Sequence, residues 1–362
     1  MVINVNNQRE IKIANKTIGG SNQTYFIADI AANHDSDLSR AKELIYLAAE
    51  AGADAAKFQH FKAETIVSDH EFRKLGKQLS HQSNWKKSVF DVYKDASVNI
   101  DWNSELKKVC DSAGIHFFTT PYDLDIVDQI APDVPAIKIG SGDITWLEMV
   151  ERVAKKNKPY FLATGASNLK EVKAAVDLGL GINKKLILMQ CNTNYSANLE
   201  NFKYINLNVL KNYAKIFKGI VLGLSDHTHG HSTVLGAVTL GARVIEKHFT
   251  DDCSRIGPDH KFSMDPETWR EMVDRTRELE LSLGDGVKKV EKNELETVIV
   301  QRRSICAASD ILPGKFLTRD DVLMLRPAPS NSLGPHRLNE VVGKKLKHSK
   351  YFGEIISLQD LE

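Results

Sequence analysis

Short apolar runs and longer amphipathic segments alternate along most of this chain. Residues 38–50 place Ala41, Leu44, Ile45 and Ala48 at helical spacing, which predicts an amphipathic helix that ends near Gly52. Further helices are predicted at 169–178, 232–240 and 269–283. Between the helical segments lie eight runs of strand length: 25–28, 53–58, 116–118, 136–139, 160–163, 186–190, 220–224 and 244–245. Eight strands that alternate with helices over about 250 residues predict a (β/α)8 barrel, or TIM barrel.

Three segments depart from this alternation. Residues 1–24 are polar with short β-prone pieces, which predicts a hairpin that caps the floor of a barrel domain spanning 1–284. Residues 66–102 mix aromatic residues with lysines and acids, and predict one or two helices over the site end of the barrel. A charged linker, 285–296, then leads to β-prone pieces and turns that predict a small, mostly β domain over 297–362. An open doubly wound sheet would carry a GxGxxG turn after its first strand, but the sequence there is DIAANHD.

Composition argues against several classes of protein. The chain has 362 residues, a net charge of +1 and 42% hydrophobic residues, enough for a large core beside a small second domain. Near-neutral charge argues against a binder of nucleic acids. No apolar run approaches the roughly 20 residues of a membrane span, and the N-terminus lacks a signal-peptide layout. The four cysteines form no CxxC pair, so free thiols and a cytoplasmic location are expected.

The last two predicted strands are followed directly by ionisable residues. His227 and His248 follow neighbouring strands, so their imidazoles can share one divalent metal ion. A lone histidine at a strand end is more often a hydrogen-bonded structural residue. Here Asp226, Glu246 and Lys247 accompany the pair, and burying so many charges merely for packing would be costly. The pattern therefore favours a metal site.

The other predicted strand ends supply cations and hydroxyl groups. Those that suit a bound phosphate are Lys57, Thr120, Lys138, Ser141, Thr164, Thr193 and Ser225. Acids stand at Asp29, Asp143, Glu246 and Asp259. A metal ion beside these groups suits the polarisation of a carbonyl oxygen. Together they predict a phosphorylated three-carbon donor that meets an aldehyde, and spacing leaves both substrates unidentified.

The motifs at the strand ends resemble those of the sialic acid synthase family. In chain order they are ADIAANHDSDLSRAKELI, GADAAKFQ, FFTTPYD, KIGSGD, ATG, GLSDHT, VIEKHFT and GPDHKFSM. The tail RRSICAASDILPGKFLTRDDVLMLRPAPSNSLGP is similar to the C-terminal SAF (antifreeze-like) domain of that family. The resemblance implies a metal-dependent condensation of phosphoenolpyruvate with an N-acyl hexosamine such as N-acetylmannosamine, with phosphate released by C–O cleavage.

The resemblance also implies a role for each matching residue. His227 and His248 would hold the metal, with Mn²⁺ expected first and Mg²⁺ or Co²⁺ as alternatives. Phosphoenolpyruvate would bind Lys57, Thr120, Lys138, Ser141, Thr193 and Ser225. The sugar would bind Gln59, Tyr195, Asp259 and Arg326, and the residues taking part in the reaction would be Asp29, Asp143, Lys57 and His227. In the family the SAF domain packs over the barrel of the other subunit and inserts an arginine, which implies a domain-swapped homodimer.

Three positions depart from the family's motifs. Asp29 stands where the family usually has glutamate, Ala163-Thr164-Gly165 replaces an STG turn, and Arg326-Pro327-Ala328-Pro329-Ser330-Asn331 replaces RPGNG. These departures bear on the sugar more than on the reaction. Two alternatives stay open: a related ulosonic acid synthase that uses a different, phosphorylated aldose, and a non-catalytic sugar-binding barrel.

Overall fold

A computed structural model describes residues 8–195 and 198–362, which divide after Gly284 into two compact units. The first unit begins with a hairpin of two short antiparallel strands, β1 Ile11–Ile13 and β2 Lys16–Ile18. Ile11, Ile13 and Ile18 are buried in the same apolar cluster as the barrel interior. The predicted hairpin at the barrel floor is therefore confirmed.

Eight parallel strands of the described chain close into a barrel, in which β10 pairs with β3. The strands are β3 Tyr25–Asp29, β4 Ala55–His60, β5 His116–Pro121, β6 Ile137–Ile139, β7 Tyr160–Ala163, β8 Leu186–Cys191, β9 Val221–Asp226 and β10 Ala242–His248. They are buried on both faces, since an apolar interior lies on one side and the helices on the other. The predicted TIM barrel is confirmed.

Helices follow the strands and cover the outside of the barrel. Those of the first unit are α1 Leu38–Glu50, α2 Ala63–Ile66, α3 Asp69–Lys74, α4 Val89–Ala96, α5 Asn103–Ala113, α6 Leu124–Ile130, α7 Leu147–Lys155, α8 Leu169–Ile182, α9 Val209–Ile216, α10 Ser232–Thr239 and α11 Pro266–Ser282. The helix predicted at 38–50 matches α1, whose buried face is the predicted one. Within the described ranges, no helix is both long enough and apolar enough to cross a membrane.

The segment between α2 and α5 holds α3 and α4, as predicted for 66–102, and two 3₁₀ turns. Ser68 and Ser88 each begin a separate short helix, because their hydroxyl groups accept hydrogen bonds from the backbone of Glu71 and Asp91. The segment is thus broken into short pieces that wrap over the open end of the barrel.

Six strands, namely β3, β4, β5, β8, β9 and β10, extend past the ends of the apolar runs that predicted them. β4 continues to His60, β9 to Asp226 and β10 to His248, so the polar residues expected after these strands lie within them. Ladder pairing continues through Glu246 and Ser225 and through His248 and Asp29. A charged side chain ends an apolar run in the sequence. The strand itself can continue past it where that side chain points into a polar barrel mouth.

The second unit has its own small core. It contains helix α12 Leu295–Gln301 and two antiparallel strands, β11 Ser304–Ala307 and β12 Val322–Leu325. Buried apolar residues from β11, β12 and the following turns pack together. Helix α12 runs across the predicted end of the linker at residue 296.

Candidate active site

Barrel register places Asp29 between Lys57 on β4 and His248 on β10. Lys57 Nζ lies 2.6 Å from Asp29 Oδ2 and donates to Thr120 Oγ1 at 3.1 Å. Gln59 Nε2 donates to the same Asp29 oxygen at 3.0 Å. Burial opposes ionisation of both partners, but their attraction outweighs it: the pKa of Lys57 is raised and that of Asp29 is lowered. Both groups are therefore charged in the folded protein.

A second buried lysine meets Glu246 on β10. Lys138 Nζ lies 2.6 Å from Glu246 Oε1, and Ser225 Oγ donates to the same oxygen at 3.2 Å. Lys57 Nζ is 4.0 Å from it. We define the lysine cradle as Lys57, Thr120, Lys138 and Ser225. Lys57, Lys138 and Ser225 lie around one carboxylate oxygen of Glu246, and Thr120 is hydrogen-bonded to Lys57. Such a set of buried donors suits a phosphate or carboxylate ligand.

Ser141 and Thr193 lie beside this cradle at a glycine turn. Ser141 Oγ accepts a hydrogen bond from Gly165 N at 2.9 Å. A Cβ built at Gly165 would lie only 2.5 Å from Thr193 Cγ2, so this close approach requires glycine. The neighbouring Thr164 behaves differently from the prediction. Its hydroxyl donates to Met189 O and accepts from Tyr213, both at 3.0 Å, so it belongs to the barrel wall and not to a phosphate site.

The two predicted metal ligands face each other, with ring centroids 5.4 Å apart. His227 Nδ1 lies 2.8 Å from Asn192 O. Since a carbonyl oxygen only accepts, Nδ1 carries the proton and Nε2 keeps a free lone pair. His248 Nδ1 is buried and has no hydrogen-bond partner among the described residues. Burial lowers the pKa of both rings, that of His248 to about 3, so both are neutral as metal ligands must be.

These imidazoles suit a divalent cation whose remaining positions would be filled by small molecules. Residues 8–195 and 198–362 contain no group of three or more histidine, cysteine or acidic side chains placed to hold a metal ion together. Two protein ligands leave several positions for substrate and water, as a catalytic ion requires. The orphaned Nδ1 of His248 and the oriented Nε2 of His227 support this assignment.

A cavity of about 140 Å³ opens beside His248, and several of the residues that line it also line an outer cleft of about 600 Å³. The aromatic pocket is defined by the rings in the wall of this inner cavity, which are Phe61, Trp85, Tyr93, Tyr122 and Tyr195. Tyr195 packs against His227 with ring centroids 4.3 Å apart. Gln59 and Asp259 add polar groups to the wall. Flat rings with a few polar groups are typical of sites that bind a sugar face.

Two further predicted acids have perturbed ionisation. Burial raises the pKa of Asp259 to about 7 and that of Asp143 to about 6. Asp259 Oδ2 accepts from Ala32 N at 3.1 Å and lies 3.9 Å from His248 Nδ1. Asp143 Oδ2 is buried without a hydrogen-bond partner in the described part of the chain. Carboxyl groups that titrate near neutral pH can give or take a proton during a reaction.

Predicted site residues outside the second unit converge on one barrel mouth. Arg326 instead follows β12 in the second unit, where its side chain is exposed, and its role stays a prediction. The sequence placed Glu246 among the strand-end acids without assigning it a ligand, and it did not place the aromatic residues of 66–102 in a pocket. A larger cavity of about 770 Å³ borders Thr193, but no charged side chain of the described residues lines it, which makes the lysine cradle the better candidate.

Comparison with known proteins agrees with this geometry. The NeuB family matches residues 44–288 and the SAF domain matches residues 302–362. The N,N'-diacetyllegionaminic acid synthase of Legionella pneumophila is 35% identical over 96% of this chain and 97% of its own length. The N-acetylneuraminate-9-phosphate synthase of Homo sapiens is 30% identical over 91% of this chain and 90% of its own length.

A solved structure shows the same architecture. The N-acetylneuraminic acid (sialic acid) synthetase of Leptospira borgpetersenii superposes with a TM-score of 0.70 at 28% identity, covering 80% of this chain and 95% of that chain. Fold, motif order and relatives all agree over most of the sequence. The chain therefore belongs to the NeuB family of nonulosonic acid synthases and carries a SAF domain.

Proposed function

We propose that this enzyme condenses phosphoenolpyruvate with the open-chain aldehyde of an N-acyl hexosamine and releases phosphate by C–O cleavage. The observation that carries the proposal is the position of Lys57 and Lys138, 4.0 and 2.6 Å from one oxygen of Glu246 on the strand that also bears His248. An anion cradle thus adjoins a pair of neutral imidazoles. A phosphorylated enol and an aldehyde need these two environments side by side.

The lysine cradle would bind the phosphate and carboxylate of phosphoenolpyruvate. Lys57, Lys138, Thr120 and Ser225 supply the donors, and Ser141 completes the rim. Attack by C3 of the enol on the aldehyde carbon forms the new C–C bond, and the aldehyde oxygen takes up a proton. Water adds to C2, and phosphate leaves as the ketone forms. Asp143, whose raised pKa lets it exchange protons near neutral pH, is the acid we assign to holding sugar or water.

His227 and His248 would hold the divalent ion, for which we propose Mn²⁺ first and Mg²⁺ or Co²⁺ as alternatives. When bound, the ion supplies Lewis-acid polarisation of the aldehyde oxygen. The sugar would lie in the aromatic pocket, with Gln59 and Asp259 as hydrogen-bond partners of its hydroxyl groups. Tyr195 belongs to the pocket and also lies against both histidines, so it would hold the reacting end of the sugar.

A direct assay tests this proposal. The purified chain is incubated with phosphoenolpyruvate, Mn²⁺ and each member of a panel of N-acyl hexosamines, including N-acetylmannosamine and diacetamido-deoxy analogues. Phosphate release is followed, and product mass identifies the sugar that was extended. Release with one or more sugars, with a product equal in mass to sugar plus pyruvate, is expected. Folded protein that releases no phosphate with any of them would count decisively against a synthase and in favour of a sugar-binding barrel.

One observation favours the alternative of a phosphorylated sugar. The structure brings Lys86, Lys87 and Lys261 to the outer cleft, together with Asp35 and Asp95. Lys87 already pairs with Asp95 at 2.6 Å, which reduces the charge available to a ligand. A 6-phosphorylated hexosamine with a higher kcat/KM than its unphosphorylated form would favour this alternative.

The proposals for the oligomeric state and the cellular location rest on the family resemblance. We propose a domain-swapped homodimer in which Arg326 of the partner subunit reaches the sugar. Light scattering should give twice the mass of one chain. A cytoplasmic location is also proposed, and the four free cysteines support it.

A further inference from the structure

Glu246 sits inside the lysine cradle as a buried anion. One of its oxygens receives Lys138 at 2.6 Å and Ser225 at 3.2 Å, and lies 4.0 Å from Lys57. The other oxygen is buried without a hydrogen-bond partner among the described residues. The donors that surround Glu246 are thus the same ones that an incoming phosphate or carboxylate would need.

The second carboxylate near these lysines has different contacts. Asp29 accepts hydrogen bonds from Lys57, from Gln59 and from the backbone of Ala31, which tie it to the barrel wall. Glu246 accepts only from side chains that face the cradle, Lys138 and Ser225. Two ammonium groups and two carboxylates balance one another here, so the cradle carries no excess positive charge of its own. Of the two acids, Glu246 is the one that shares its donors with a ligand.

We infer that Glu246 is a positioning residue that orients Lys138 and Ser225 in the free enzyme and competes with phosphoenolpyruvate for them. The inference rests on the proposed function, since it assumes that the cradle binds the phosphorylated substrate. An internal carboxylate keeps the buried ammonium group of Lys138 in place between turnovers. It also limits the affinity for the phosphate product, which must leave the same donors before the next cycle begins.

Replacement of Glu246 by glutamine separates the effect of its negative charge on ligand binding from the effect of its size and shape. Glu246→Gln keeps an oxygen that accepts from Lys138 and Ser225 but removes the competing negative charge. The full chain is titrated by calorimetry with phosphoenolpyruvate and, separately, with inorganic phosphate. Both Kd values should fall by about tenfold or more, because a buried like charge beside the ligand is removed. Inhibition of turnover by phosphate should tighten in parallel and kcat should fall, since product leaves more slowly.

Two further variants of Glu246 show whether a change in affinity comes from the loss of its charge. Glu246→Asp keeps the charge and should not tighten either ligand. Glu246→Ala also removes the charge and should tighten phosphate, which gives a second measurement of the same sign if the glutamine variant does not fold. Structural damage weakens binding, so a gain in affinity cannot arise from misfolding.

Two failures can be told apart. Wild-type protein that binds phosphate but not phosphoenolpyruvate would overturn the proposed function, while the phosphate titration of the variants would still test Glu246. Folded Glu246→Gln and Glu246→Ala proteins that bind phosphate no more tightly than the wild type would overturn the inference and leave the synthase proposal standing.

Discussion

Lys57 and Asp29 form a buried ion pair in which Nζ and Oδ2 are 2.6 Å apart and each side chain is 2% exposed. The two residues are register partners on adjacent strands, β3 and β4. Gln59 and the backbone of Ala31 donate to the same carboxylate, so Asp29 organises the wall beneath the lysine cradle. Its lowered pKa keeps it ionised, which suits a fixed counter-charge.

Asp29→Ala should strongly destabilise the barrel unit, because it leaves a buried ammonium group without its partner. Removing one member of a buried pair costs about 3–5 kcal/mol. Chemical unfolding followed by circular dichroism measures the loss. Asp29→Glu restores the residue usual in the family and should recover most of the stability. A loss below about 1 kcal/mol in Asp29→Ala would show that water or another group already compensates Lys57.

Removal of divalent ions should abolish phosphate release, and added Mn²⁺ should restore it. His227→Ala removes one of two protein ligands and should weaken Mn²⁺ binding by at least about tenfold, because few protein groups remain to hold the ion. Calorimetric titration of the full chain with Mn²⁺, without substrates, measures this effect independently of turnover.

The exposed His70 on α3 provides the matched control for that experiment. His70→Ala removes an exposed imidazole that has no proposed ligand role, and this variant should bind Mn²⁺ as the wild type does. Equal Mn²⁺ affinity in His227→Ala and the wild type would remove His227 from the metal site. It would leave that ring with its structural contacts, the hydrogen bond to Asn192 and the packing against Tyr195.

The barrel could be predicted from the sequence because the patterns that indicate it lie within short stretches of the chain. Apolar runs and helical spacing recur with each βα unit, and motifs after the runs converge wherever parallel strands share one end. Lys57, Lys138 and His248 were therefore identified from their place in the chain alone. Their distances depend on register across the barrel, in particular on the closure that sets His248 beside Asp29.

Two features of the site could not be predicted from the sequence, the position of Glu246 inside the lysine cradle and the aromatic pocket. Glu246 ends an apolar run, yet the strand continues to His248, so its inward position appears only once the full strand is known. Trp85 directly follows a short 3₁₀ turn and Tyr93 lies in helix α4, and nothing in the sequence indicates that these two separate elements meet in a pocket. Thr164 resembled a phosphate ligand, but its hydroxyl is bound by the wall.

Asp143→Asn should stabilise the protein above pH 6 and have little effect near pH 4. Burial raises the pKa of Asp143 from 3.8 to about 6. Between these values the folded state holds the proton more tightly than the unfolded state, so stability falls as pH rises through the window and stays lower above it. Asparagine cannot ionise and avoids that cost.

Thermal unfolding at pH 4 and pH 7.5 measures this difference. The variant should gain roughly 2–4 °C in Tm at the higher pH, the change that about 1 kcal/mol produces in a unit of this size. Asp177→Asn, which alters an exposed acid on α8, should shift Tm equally at both pH values. An equal shift in Asp143→Asn would mean that Asp143 titrates as an ordinary surface acid.

Trp85→Ala should raise KM for the sugar and leave KM for phosphoenolpyruvate unchanged. Trp85 lines both the inner cavity and the outer cleft and packs near Tyr93, with ring centroids 6.4 Å apart. Loss of an aromatic wall worth about 1–1.4 kcal/mol corresponds to a rise of roughly five- to tenfold in KM. Trp85→Phe keeps a flat apolar ring and should recover most of the sugar affinity. Steady-state kinetics with each substrate varied in turn separates the two KM values. A rise in both values, or in that for phosphoenolpyruvate alone, would place the sugar elsewhere than in the aromatic pocket.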